Sequence, residues 1–286
     1  MKLQGLLFVA IFNLAYTQLV KGQPRQDCQT RCGNVTVEYP FGTSPGCYYA
    51  EDPSFHLPCN QTKKMFVDDM EVISISQGGQ LRVWSPVTYA CYNNKGHLTN
   101  DTSRLFGLGN LSLSNNNILT GVGCTSYVYL RGYGRKIQTI GCISGCGYLP
   151  EKGSCSGEGC CQIPISKNIS SIYRVLPRRF EGQSNDFENF NRCTYAFLVE
   201  TGKFHFSALE DPKDMRNVTE FPVVLDWSIG EKTCEQVGNK SICGGNSTCS
   251  DSTRGEGYIC KCKDGYDGNP HIPNDCQGTS TFSVAH

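Results

Sequence analysis

The sequence predicts an all-β, disulfide-rich fold, and three observations carry that expectation. Eighteen of the 286 residues are cysteine, an even number in a chain with only 18% charged residues. Such density belongs to oxidising compartments, where bridges constrain the chain. Short runs alternate β-branched or aromatic residues with polar ones, and no window holds a 3.6-residue period. Finally, 31 glycines and 13 prolines punctuate those runs. The expected architecture is a set of small β-sheets or a sandwich, followed by a compact cysteine-rich module.

Basic and acidic side chains balance at 26 each. This excludes binding of nucleic acid or another polyanion through bulk charge, and 38% hydrophobic content argues against disorder. At the N-terminus, Met1-Lys2 precedes an apolar run at 6–16 (LLFVAIFNLAY), and Val20-Lys21-Gly22 follows. Residues 1–22 therefore read as a signal peptide cut after Gly22. The run is too short to span about 30 Å of hydrocarbon, and no later window approaches the roughly 20 apolar residues a membrane helix needs. Eight N-x-Ser/Thr triplets begin at Asn34, Asn60, Asn100, Asn110, Asn168, Asn217, Asn239 and Asn246. Together with the leader they imply glycosylation and a secreted product in the extracellular space or cell wall.

Several hairpins are legible. Residues 71–76 (EVISIS) and 81–84 (LRVW) flank Gln77-Gly78-Gly79-Gln80, where glycine permits positive φ. Residues 127–130 pair with 136–140 across Gly132-Tyr133-Gly134, and 194–199 are expected to pair with 203–206 across Glu200-Thr201-Gly202. Residues 221–229 form a long apolar stretch with Trp227 near its end.

The cysteines fall into three groups of six, at 28–124, 142–193 and 234–276, each able in principle to be self-contained. Adjacent Cys160 and Cys161 are expected to bond to different partners, since a bridge between neighbours strains the geometry. The last group has the spacing C-x8-C-x5-C-x10-C-x-C-x13-C, with Gly265-Tyr266 and Gly268 in its final loop. It resembles an EGF-like module. That resemblance implies the pairs Cys234–Cys249, Cys243–Cys260 and Cys262–Cys276. A zinc knuckle built on Cys260, Cys262 and His271 is the competing reading, disfavoured in an oxidising compartment. Gly230-Glu231-Lys232-Thr233 lacks the carboxylates of calcium-binding modules, so neither metal nor cofactor is expected.

The rest of the chain carries a specific pattern. Cys32-Gly33-Asn34 with Tyr39-Pro40-Phe41-Gly42 and Gly46-Cys47-Tyr48 resembles the start of the extracellular region of plant wall-associated receptor kinases. The same family is resembled by Gly121-Val122-Gly123-Cys124, Gly159-Cys160-Cys161, the run from Cys193 to Glu200, and Gly265-Tyr266-Asp267-Gly268-Asn269-Pro270. The resemblance implies a galacturonan-binding domain at 23–140, a cysteine-containing middle β region at 141–230, an EGF-like module at 231–277 and a short polar tail at 278–286. A second EGF-like module, a membrane span and a kinase would follow in relatives. No glycine-rich ATP loop or kinase catalytic loop occurs here, so a truncated, non-enzymatic ectodomain is expected.

The implied ligand is pectin or oligogalacturonide, one carboxylate per de-esterified sugar. Recognition calls for Arg and Lys along a groove, with aromatic rings beside them. Residues 23–140 carry ten basic and eight acidic groups, the one region with a cationic excess. Candidates there are Lys63, Lys64, Arg82, Lys95, Arg104, Arg131, Arg135 and Lys136, with Tyr133 inside the densest basic segment. Arg82, between Leu81 and Val83, should project from a polar strand face. Calcium would act only by bridging carboxylates of the ligand. Two other roles compete: a secreted wall protein held through the EGF-like region, or a soluble decoy of the receptor. Catalysis is disfavoured, because no G-x-S-x-G or H-E-x-x-H motif occurs and Asp68, Asp69 and Glu71 read as a solvated acidic loop.

Overall fold

The computed structural model describes residues 24–134, 137–147, 155–166, 169–180, 192–207, 215–253 and 255–279. The proposed leader, Arg135, Lys136, Asn168 and most of the tail lie outside them. In chain order the strands begin with β1 (Arg31–Cys32), β2 (Val35–Thr36), β3 (Phe66–Val67), β4 (Met70–Ser76), β5 (Gln80–Pro86), β6 (Thr88–Tyr92) and β7 (Leu98–Asp101). They continue with β8 (Leu105–Gly107), β9 (Ser112–Leu113), β10 (Asn117–Val122), β11 (Ser126–Tyr133), β12 (Ile137–Ser144) and β13 (Cys160–Pro164). The last are β14 (Ile172–Arg179), β15 (Cys193–Glu200), β16 (Glu220–Asp226), β17 (Ser247–Asp251), β18 (Tyr258–Cys262), β19 (Tyr266–Asp267) and β20 (Gln277–Gly278).

Three larger sheets have the orders β3-β4-β5-β16-β9, β13-β10-β15-β6-β7 and β12-β11-β14-β8. Position 140 falls inside β12, and strands from both sides of it share every one of these sheets. The bridges cross it too. Cys91 pairs with Cys193, its directly opposed residue on β15, and Cys124 pairs with Cys146. The first two cysteine groups are therefore not self-contained. Within them lie Cys28–Cys47, Cys32–Cys59, Cys142–Cys161 and Cys155–Cys160, so the two adjacent cysteines have separate partners.

Two of the expected hairpins are present, β4–β5 and β11–β12, but the second turns later than expected: Gly132 and Tyr133 belong to β11, and residues 127–130 pair with 140–143. At the first turn Gly79 has φ +88°, and a Cβ there would lie 3.3 Å from the Trp227 carbonyl oxygen. The third expected hairpin does not form. β15 instead pairs with β10 on one side and β6 on the other, and no strand occurs at 203–206. The reason is burial on both faces. Ala196 and Leu198 enter the main core, while Tyr195, Phe197 and Val199 enter a second one with Phe206 and Met215. Residues 204–206 fold over that second face, with Phe204 edge-on to Phe197 at 5.1 Å. The unbroken apolar run at 195–199 of β15 thus marks a central strand covered on both faces.

The main core draws on all three sheets: Leu81, Val83, Val223 and Leu225 from one, Leu119 and Leu198 from another, Val128, Leu130, Tyr173 and Val175 from the third. Asn117, fully buried, fastens β10 to β16. Its amide donates to the carbonyls of Ser114 (2.8 Å) and Val224 (2.7 Å) and accepts from the Val224 N–H (2.8 Å).

The C-terminal module holds the bridges Cys234–Cys249, Cys243–Cys260 and Cys262–Cys276. It opens with a one-turn helix at Cys234–Val237 closed by a Thr233/Gln236 capping box. The module is seated on the body of the protein. Tyr258, Ile259 and Cys260 belong to the main core, and Asn269 donates to the Tyr39 carbonyl at 2.7 Å. His271 is fully buried, 5.3 Å from the Trp227 ring, and its Nε2 accepts from the Cys260 N–H at 3.1 Å. Nδ1 then carries the proton and donates to Gln77 Oε1 at 3.0 Å, while the Gln77 amide donates onward to Glu38 (2.8 Å).

Candidate functional site

The candidate cations among the described residues do not converge. Lys64 pairs with Glu71 at 2.6 Å, and Arg104 forks onto Asp69 while lying 4.7 Å from the Phe106 ring centre. Arg82 does not project freely from a polar face. Its Nε reaches both Glu200 oxygens at 3.1 Å and its Nη2 reaches Oε1 at 2.9 Å, bracing β5 against β15. Glu200 is buried, and its hydrogen bonds push the Arg82 pKa up, against the opposing effect of burial. Lys63 and Lys95 sit exposed in separate turns. The acidic run is likewise partnered: Asp68 accepts from the Gly107 N–H at 3.2 Å, and Asp69 and Glu71 hold the cations just named.

Arg131 stands in a different setting. β11 alternates strictly, with Ser126, Val128, Leu130 and Gly132 inward and Tyr127, Tyr129, Arg131 and Tyr133 half-buried on the outer side. Tyr127 and Tyr129 stack with ring centres 6.1 Å apart and an interplanar angle of 15°, and Phe180 meets Tyr127 at 4.9 Å. The Arg131 guanidinium lies 5.5 Å from the Tyr133 ring centre. In register across the sheet, Arg131 faces Thr139 of β12 and Arg174 of β14, and Arg174 faces Leu105 of β8. The Nε atoms of both arginines are buried without a hydrogen-bond partner. Farther along β14, Arg178 is neutralised by Asp101 at 2.9 Å.

Exposed apolar groups rim the same face. Ile137, Ile143 and Ile172 are 60%, 64% and 42% exposed, with Leu105 and Phe180 beside them. Gly141 opposes Tyr129, and a Cβ there would lie 3.0 Å from that tyrosine's own Cβ. The result is an aromatic row beside two arginines that have no carboxylate partner among the described residues. Such a surface suits a ligand with ring faces and carboxylates. Tyr127, Tyr129 and Arg174 were not among the sequence candidates. Alternation in 126–133 already aligns the two tyrosines with Arg131. Arg174 had no such signal, because it joins the row only through pairing with a strand some 40 residues away.

A family model described as wall-associated receptor kinase galacturonan-binding matches residues 28–85. Wall-associated receptor kinase 2 of Arabidopsis thaliana is 57% identical over 97% of this chain and 38% of its own length. Wall-associated receptor kinases 5 and 1 of the same plant are 51% and 48% identical over 97% and 100% of the chain. The chain belongs with the wall-associated receptor kinase ectodomains. It spans about 38% of the length of wall-associated receptor kinases 2 and 5. No solved structure matches it.

The wall-associated receptor kinase motifs mostly build the fold. Phe41 of the Tyr-Pro-Phe-Gly segment is buried edge-on to Phe55 (4.9 Å) and Trp227 (5.4 Å). Gly42 passes so close to Cys47 that a Cβ would lie 2.3 Å from its carbonyl oxygen. The Asn269-Pro270 ending is the segment that seats the EGF-like module against Tyr39. By contrast, all four strands of the aromatic–arginine face lie beyond residue 85. Of the sequon asparagines, Asn34, Asn60, Asn100, Asn110, Asn217 and Asn239 are exposed, and Asn246 is half-buried with its amide donating to the Cys276 carbonyl. None of the eight falls on those four strands.

Proposed function

We propose that this ectodomain binds acidic cell-wall polysaccharide, namely de-esterified galacturonan and its oligomers, in the extracellular space. The galacturonan-binding family match at residues 28–85 carries this reading. The pairing of Arg131 with Arg174 beside a tyrosine row supports it, since a polyuronate offers both ring faces and carboxylates. Kinase signalling is assigned to the remainder of longer relatives and to none of these residues. Calcium enters through the ligand, as a bridge between its carboxylates, and the domain needs no metal of its own.

Titration of the folded, fully oxidised protein with oligogalacturonides tests the reading. Affinity is expected to fall as salt rises, by the counterion release common to polyanion binding, and to be absent for fully methyl-esterified pectin. Equal binding to both polymers, or none to either, would refute it and turn attention to a secreted protein partner on the EGF-like module.

A further inference from the structure

We propose that Arg131 and Arg174 form one carboxylate-binding pair, and that a polyuronate lies along β11 on the Tyr127, Tyr129 and Tyr133 row. This deepens the galacturonan reading and rests on it. It also moves the ligand contact away from the family-matched segment at residues 28–85 onto the β12-β11-β14-β8 sheet.

The argument begins with register. Arg131 and Arg174 are direct cross-strand partners, and such pairs hold their Cβ atoms about 4.5–5.5 Å apart. Like charges directly opposed destabilise a sheet unless something of opposite sign lies between them. Among the described residues no carboxylate does. Arg178 is matched to Asp101 and Arg104 to Asp69, so this face leaves the 131/174 pair as its uncompensated charge. In each guanidinium the Nε is occluded and unpartnered, so the terminal Nη groups are the donors a ligand can reach. A bound carboxylate would cancel the repulsion and accept hydrogen bonds from two planar forks, the geometry that favours Arg over Lys.

The surroundings select the kind of carboxylate. Alternate strand positions lie about 6.7 Å apart, so the row from Tyr127 to Tyr133 extends about 20 Å. That length suits a run of several sugar rings rather than one small acid. Tyrosine rings give apolar faces with polar rims, and Gly141 keeps the strand beside Tyr129 free of a side chain. Absence of sequon asparagines from the four strands leaves the surface clear of glycans anchored on it. Methyl esterification removes the charge the pair requires, so discrimination between free and esterified uronate follows from these two residues.

The test compares wild type with Arg131→Gln, Arg174→Gln, the double variant and Arg131→Lys, with Lys261→Gln on the EGF-like hairpin as an equal charge loss elsewhere. Oligogalacturonide affinity is expected to fall about tenfold in each single Gln variant and about a hundredfold in the double. The salt slope should drop by about one per arginine removed. Arg131→Lys should keep the slope and recover part of the affinity. Tyr129→Ala should weaken binding about fivefold with the slope unchanged. Lys261→Gln should bind as wild type. Undiminished binding by a folded double variant would overturn the pair while leaving galacturonan binding intact. Were wild type not to bind galacturonan at all, the functional reading would fall, and the Arg Nε–H resonances titrated with a second polyuronate would decide the pair. Shifts confined to Arg131 and Arg174 would sustain it, and their absence would overturn it.

Discussion

The Arg82 guanidinium meets Glu200 through three contacts of 2.9–3.1 Å, and the carboxylate is nearly sealed from solvent. Removing one partner of such a pair leaves a buried charge uncompensated, which costs more than the pair contributes. Arg82→Ala is therefore expected to destabilise the fold by about 2 kcal/mol, read as a lowered urea midpoint with unchanged slope. Galacturonan affinity of the folded fraction should not change, and a selective loss of affinity would return Arg82 to the binding surface. Asn117 makes a parallel case without charge. All three of its hydrogen bonds go to backbone, so Asn117→Leu strands the Val224 N–H and takes a donor from the Ser114 carbonyl, while the Val224 carbonyl keeps the Ser114 N–H. A loss of about 3 kcal/mol is expected from chemical denaturation, although leucine is close in size to the residue it replaces. Neither role was legible in the sequence. A lone Arg between Leu81 and Val83 has the signature of a solvated strand position, and its partner lies 118 residues away.

At the scale of elements, local pattern and non-local pairing separate cleanly. The β4–β5 and β11–β12 hairpins could be placed because a turn with glycine joins two alternating runs, so all the information lies within about 20 residues. β15 could not, since its partners β10 and β6 are distant and its apolar residues occupy both faces. The Gly-Val-Gly-Cys segment at the end of β10 shows what such motifs specify. A Cβ on Gly121 would lie 2.7 Å from both Val128 methyl carbons and 3.3 Å from the Cys161 sulfur. Glycine here lets two sheets approach where β11 turns back under β10. Gly121→Ala should cost about 2 kcal/mol by overpacking, measured by thermal unfolding. A neutral result would mean that Val128 yields, and that the glycine has some other reason. The aromatic row on β11 was readable by the same alternation that gave the hairpin. Its completion by Arg174 was not, because only the sheet order supplies it.

The whole molecule depends on how the EGF-like module is seated, and a single buried imidazole stands at that junction. His271 takes a backbone N–H from its own module and gives its proton to Gln77 of the body. Burial lowers its pKa from 6.5 to about 4. Protonation would place a charge in a desolvated site and remove the acceptor that Cys260 uses. In the unfolded chain the same ring titrates at its ordinary value, so as pH falls the unfolded state takes up the proton first. The resulting stability is complete above about pH 6.5, declines through the interval and is exhausted below about pH 4. The difference corresponds to about 3 kcal/mol. His271→Gln keeps an acceptor and a donor without the titration, and its unfolding free energy should lose about 3 kcal/mol less than wild type between pH 6.5 and pH 4. Hydrogen exchange at the Cys260 amide locates the effect, since protonation of His271 releases that N–H first. Identical pH dependence in the two proteins, or an amide that stays protected while stability falls, would place the acid-sensitive group elsewhere. An accelerated exchange confined to the module would show instead that the two parts of this ectodomain separate before either unfolds.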